Sequence, residues 1–531
     1  MEDEILDAQA GAGRQNNGRS PKKGNKNFLV PIMGVIIVLL ALALLFMSTQ
    51  LKEALKADET ASGDLAEELA AGEKDPSRAE SPAENELSEA DQLPHSLSAS
   101  TDLFTPTAIP FPLDLFTAGL VRVPDPLSGD NPRYPEQQTT MPPPGAQLCD
   151  PGLSTCFVRV TEGPVMRHEY SRFDPFNADK TMVILHHMDE GYFAIFRTAV
   201  PYDTPSNLVA RLSLGEPRWH RTDPGIILGL DGFQLLQYDV RTGTTTTVKD
   251  FAGDPVIGPI IARETDLYRV TMKDEGECSW DGRWWALALQ GSADDYRLRH
   301  LFTWDRATDS IQGLLQLRPD QNGIDWVGMS PKGSWVIIGS VPGNGAPLDG
   351  TVIANRELTL FHRIDYDVAH SDVGLDSQGN EVLVMQNTRT DYIDMLPIDT
   401  LTRPIMETGG SYTGTGRTPL LRLFYDWSSP LTFDSGVHIS CNAPGWAVVS
   451  THIALGTPER NWLDRSIVLV HLDENDPRVF YLAKIHNTTE DYWEETQATV
   501  TNDGQTVLWV ANFNLDPGHN KTALMRLDVP R

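Results

Sequence analysis

Trp280-Asp281-Gly282 followed by RWWALAL at residues 283–289 is a tight turn running into an uninterrupted apolar strand, and the pattern recurs along the chain. Upstream, Asn177-Ala178-Asp179-Lys180 precedes TMVILHH and Thr222-Asp223-Pro224-Gly225 precedes IILGL. Downstream, Ser330-Pro331-Lys332-Gly333 precedes SWVIIGS, Asp376-Ser377-Gln378-Gly379 precedes NEVLVM, and Asn442-Ala443-Pro444-Gly445 precedes WAVVS. Thr501-Asn502-Asp503-Gly504 before QTVLWVANF is the last. These seven turns lie about 45 to 66 residues apart, the length of a propeller blade with loop insertions. A second signal keeps the same beat: alternating strands end in Asp and a turn at Asp239, Asp305, Asp365, Asp399, Asp473 and Asp528. Two hairpin signals per unit fit four-stranded blades, so the expected fold is all-β, a seven-bladed β-propeller over 156–531. The last blade runs out of chain after three strands, and CFVRVT at Cys156–Thr161 is the expected fourth, closing the ring and removing open edges.

The 531 residues are 40% hydrophobic, enough for a globular core. A formal charge of -30 and a pI near 4.7 exclude a nucleic-acid partner, whose phosphates demand a basic surface. Such a chain suits cations or neutral ligands, and an anionic ligand requires a metal or a local basic cluster. The four cysteines have neither zinc-site spacing nor a C-x-x-C motif. Cys149 and Cys156 can bridge a short loop in an oxidising compartment, or all four are unrelated thiols.

Phe28 to Ser48 is an uncharged apolar run of bilayer-spanning length, preceded by Arg14, Arg19, Lys22, Lys23 and Lys26. The positive-inside rule puts residues 1–27 in the cytoplasm and the propeller outside, on a single-pass anchor in the cytoplasmic (inner) membrane. A cleaved signal peptide is the competing reading, opposed by the length of the run and by the lack of a clean cleavage site. Residues 49–105 carry 14 acidic and 4 basic residues and read as an extended stalk, a short helix and then a disordered stretch. Residues 106–155 form a Pro-rich lead-in.

In a propeller the residues just before each turn line the central channel. Here they are polar: Tyr170 and Arg172; Glu216, Arg218 and Trp219; Glu275 and Glu277; Asp325 and Trp326; His370 and Asp372; His438 and Ser440; Glu494, Glu495 and Gln497. Such a ring could coordinate a cation beside an anionic ligand, although propeller channels are wet and polar without any ligand. His186-His187 lies on a strand, where neighbours face opposite ways, so the pair is expected to be structural. No G-x-S-x-G elbow or Walker loop is present.

The blade motifs HEYSRFDPFNADKTMVIL, EPRWHRTDPGIILGLDGFQLLQYDVRTG and ETQATVTNDGQTVLW resemble those of oligogalacturonate lyases, spread over about 157–531. The resemblance implies a manganese ion in the channel, held by histidines and a glutamine, that neutralises a uronate carboxylate for β-elimination. Carried over, His438 takes a ligand position, while Glu495 and Gln497 stand where the family has alternate histidines. The expected cofactor is therefore one divalent cation, manganese or calcium, on His438, Glu495 and Gln497, with His370 nearby. Tyr170, Arg172, Arg218, Trp219 and Asp325 are the expected contacts to an acidic glycan, and His370 or His438 the expected base. The alternative is a non-catalytic scaffold that presents loops to an envelope protein.

Overall fold

The computed structural model describes residues 117–530, apart from short segments at 129–130, 136–138, 164, 294–295, 366, 368–369, 388–389, 399–415, 425–429, 434, 454–456, 488, 490–491 and 514–521. The expected tail, span and stalk lie outside these residues, as does Asp399. No helix among the described residues is long and apolar enough to cross a membrane.

Among the described residues the strands form seven antiparallel sheets. Five are meanders in chain order from the innermost strand outward, and blades 6 and 7 begin the same way but take their outer strands from the segment before the first blade. The innermost strands are Met166–Arg167, Gly215–Trp219, Leu267–Thr271, Ile324–Met329, Ser371–Leu375, Gly436–Ser440 and Thr499–Val500, which define blades 1 to 7. The second strand of each blade is buried on both faces, because neighbouring blades pack against it. Trp284–Gly291, Trp446–His452 and Thr506–Ala511 are buried along their whole length. That is why RWWALAL and QTVLWVA read as apolar runs rather than as alternating strands.

The turns owe their recurrence to one hydrogen-bond device. Ser279, Ser330 and Thr501 each accept, through the side-chain hydroxyl, the backbone N–H five residues on, at 2.9 to 3.1 Å. The chain reverses through a left-handed residue, Gly282, Gly333 or Gly504, each at φ 70°, where a side chain would be strained. In blade 1 the same place falls to Lys180, at φ 57°. The strand-ending aspartates brace these turns: Asp305 takes Arg283 in a two-point ion pair at 2.8 Å on both oxygens.

Closure follows the expected route. Thr155–Arg159 pairs with Ala523–Asp528, Val158 opposite Arg526, so the first and last parts of the propeller share blade 7. The lead-in does more than lie on the surface. Gln147–Asp150 adds a fifth strand to blade 7, and Val121–Arg122 adds one to blade 6 with Val121 opposite Tyr481. Cys149 and Cys156 face each other across the blade 7 hairpin and are joined by a disulfide, while Cys278 and Cys441 are free. Reducing this short loop is expected to lower unfolding free energy by about 2 to 3 kcal/mol. Urea denaturation with and without reductant measures it, and an unchanged midpoint would count against a structural role.

Candidate metal centre

His438 sits mid-strand in Gly436–Ser440 and pairs with Ser450 of the next strand. His452, the last residue of that strand, lies on the same face two places further, so the two imidazoles are diagonal neighbours. Gly436 lies opposite His452, and a Cβ there would come within 2.4 Å of its ring atoms Cε1 and Nε2. Glu495 follows the one-turn 3-10 helix Tyr492–Glu494 at the start of blade 7. It is held against blade 6 by Thr496 Oγ1 donating to the Thr451 carbonyl at 3.0 Å and by Ala498 N donating to Ser450 Oγ at 3.0 Å.

These placements bring His438 Nε2 to 2.6 Å from Glu495 Oε2 and His452 Nε2 to 3.3 Å from Oε1. One donor atom from each of the three lies within 4.8 Å of the others. His438 is fully buried. Burial alone would raise the Glu495 acid, yet hydrogen bonds from His438 and His452 and their charges outweigh it and hold the carboxylate well below its ordinary range. Two imidazole nitrogens and a carboxylate are a mixed nitrogen–oxygen donor set for first-row divalent cations, the carboxylate being the donor that suits manganese. Neighbouring ligand atoms about one ion lie about 3.5 Å apart, so holding an ion would require the 2.6 Å His438–Glu495 contact to open and the wider separations to close. The Nδ1 atoms of His438 and His452 are buried without a hydrogen-bond partner among the described residues. Ring packing takes over their orientation, with His370 at 4.7 Å and Tyr170 at 5.6 Å from His438, both edge-on.

Other expected site residues stand differently. Gln497 does not join the cluster: its backbone is left-handed, at φ 43°, and its Oε1 accepts from Arg167 Nη2 at 2.5 Å. A regular strand would have kept Glu495 and Gln497 on one face, and the positive φ breaks that alternation. His370 adjoins His438, but burial first, and the neighbouring His438 next, hold its pKa near 3, too weak for an effective base at neutral pH. Arg172 is committed elsewhere, donating to the Ser371 carbonyl at 2.7 Å, pairing with Glu275 at 3.2 Å and stacking 4.1 Å over Trp326. Arg218 pairs with Glu169 at 2.6 Å and donates to the Asp274 carbonyl at 2.9 Å. Neither guanidinium offers a free fork to a glycan carboxylate. Trp219 donates to the Pro175 carbonyl and lines a separate cavity of about 50 Å³ with Asp174, Arg221 and Glu277. Asp325 is exposed, and the His186 and His187 rings stack on Phe193 and Tyr192 as structural residues.

His452 was not foreseen, because it ends a strand that reads as apolar. Counting the hairpin register back from the Asn442–Gly445 turn would have placed it beside His438. Glu169 was also missed: it lies inside the quoted blade 1 motif, but its partner Arg218 is 49 residues away and nothing local marks the pair.

No protein-family model and no curated protein matches the chain. Its fold is similar to that of an oligogalacturonate lyase in complex with manganese, at 12% identity over 73% of this chain and 97% of that one, with a TM-score of 0.47. It is similar also to an oligogalacturonate lyase from Vibrio parahaemolyticus, at 11% identity over 73% and 97%, with a TM-score of 0.44. The seven sheets of the described residues make the fold a seven-bladed propeller.

The channel also sets a pH dependence. Burial pushes Glu169, Asp174, Glu275 and Asp372 each up to about 7. A raised carboxylate favours the fold while protonated, so its contribution is complete below about pH 4 and is lost as pH rises through 7. Buried His168 and His370, held near 3, act in the opposite sense, with their contribution complete above about pH 6.5. From about pH 7 to 8 the unfolded-state histidines are mostly deprotonated while the carboxylates still titrate, so urea stability is expected to fall across that interval. A flat or rising profile would contradict this.

Proposed function

We propose that the propeller holds one divalent cation on His438, His452 and Glu495 and engages an acidic, uronate-containing glycan beside it. The observation that carries this reading is the meeting of two imidazoles and a well-ionised carboxylate at one end of the channel. When bound, such an ion supplies positive charge to a uronate carboxylate and stabilises the enolate of a β-elimination. His438 and Glu495, now joined by a hydrogen bond, would be two of the groups holding the ion, and Tyr170, un-ionised because it is buried, packs edge-on against His438.

The engagement of Arg172 and Arg218 within the channel favours a second reading, a non-catalytic envelope scaffold. Calorimetric titration with oligogalacturonates, with manganese and with chelator, separates the two. Binding that needs the metal supports the glycan site, and ultraviolet absorbance of an unsaturated product would add turnover. No binding in either condition would leave the scaffold.

The membrane anchor at 28–48 and the acidic stalk belong to the same reading. A disulfide is supporting evidence for an oxidising, extracytoplasmic compartment.

A further inference from the structure

We propose that Tyr268, Tyr296 and Arg269, on the rim of blade 3, form a stacking subsite for one uronate ring of the glycan; this rests on the glycan reading above. Tyr268 lies in the innermost strand Leu267–Thr271, whose pairing with Trp284–Gly291 slips between Leu267 and Arg269. The slip makes Tyr268 the extra residue of a bulge, a device that re-aims a side chain. The residue is 38% exposed. Tyr296, in the loop joining the second and third strands, has φ 59°, a left-handed backbone that bulky residues avoid, yet it is 48% exposed. Two backbone irregularities thus present two partly exposed aromatic residues to solvent.

The rings meet edge-to-face at 5.7 Å. One buried amide anchors the group. Gln290, 3% exposed, accepts from Tyr268 Oη at 2.8 Å and from Arg269 Nε at 2.6 Å, and its Nε2 donates to the Tyr296 carbonyl at 2.6 Å. Scattered exposed aromatics are ordinary on protein surfaces, but a pair pinned through a shared buried side chain is a built arrangement. The Arg269 guanidinium lies 5.6 Å from the Tyr268 ring, and its nearest carboxylate, Asp274, is 3.9 Å away. Its fork therefore keeps donors for a ligand carboxylate. A pyranose ring offers C–H bonds to an aromatic face, and a uronate adds the carboxylate that Arg269 complements.

The position suits an extended ligand. The loop between second and third strands and the outer ends of the innermost strands lie at the end of the propeller opposite the turns. His452, which closes its own second strand, marks the same end. A chain held at the metal centre would reach the blade 3 rim with a later residue, so the subsite adds affinity for long oligomers and not for short ones.

The experiment is calorimetric titration of the full-length, manganese-supplied protein with galacturonate oligomers of two and of five residues. Tyr268→Ala and Tyr296→Gly are each expected to weaken the pentamer about fivefold or more while leaving the dimer unchanged. Glycine takes a positive φ without strain, so Tyr296→Gly is expected to keep or raise Tm, which separates lost binding from lost folding. Pentamer affinity unchanged in both variants would overturn the subsite while the metal-dependent glycan reading stood. If the wild type binds neither oligomer, the glycan reading fails and the subsite with it.

Discussion

Glu495→Gln is expected to lower the affinity for a divalent cation by about a hundredfold or more, with little change in fold. Glu495 is the one anionic member of the cluster, and its two oxygens face His438 and His452 separately. Glutamine keeps the volume and one oxygen, but it removes the charge that draws a cation into two neutral imidazoles. Loss of a supporting outer group at metal sites already costs about 10- to 100-fold, and a charged ligand should cost more. Gly436→Ala provides a second approach without touching a donor atom. Its Cβ would fall 2.4 Å from His452 Nε2 and force the ring away from Glu495. Both variants should lose manganese in equilibrium dialysis. If either binds as the wild type does, these residues are not the ligand set.

Arg172→Ala is expected to lower unfolding free energy by about 3 kcal/mol or more, as when one partner of a buried ion pair is removed. From blade 1 its guanidinium reaches the Ser371 carbonyl in blade 5 and Glu275 ahead of the blade 3 turn. It also covers the Trp326 ring of blade 4. The side chain is 5% exposed, so the interactions it loses are not replaced by water at the surface. Chemical denaturation measures the effect. Unchanged stability with weakened glycan binding would restore Arg172 to the carboxylate clamp that its channel position suggests.

The blades were legible because most of them repeat a local device. A hydroxyl or carboxylate side chain, a left-handed glycine and a doubly buried strand write themselves into consecutive residues such as Ser279-Trp280-Asp281-Gly282. Closure was legible too, since the three strands from Glu495 on left a place for a fourth with Cys156–Thr161 as the candidate, and the observed strand there is Thr155–Arg159. The site was legible only in part. Channel position follows from the turns, but what faces a residue across the channel does not. Arg172 and Glu275 are 103 residues apart, and nothing local marks them as partners. Glu495 and Gln497 looked equivalent until the backbone at 497 turned left-handed and gave that side chain to Arg167. His452 was hidden by an apolar strand, although the glycine that makes room for it was in view at 436.

Metal analysis of the full-length protein, purified without chelator or added metal, tests the central claim most directly. Near one divalent ion per chain in the wild type, lost in His438→Ala, is the expected result. No bound ion, and none taken up from added manganese or calcium, would contradict the metal centre and leave the propeller as a scaffold.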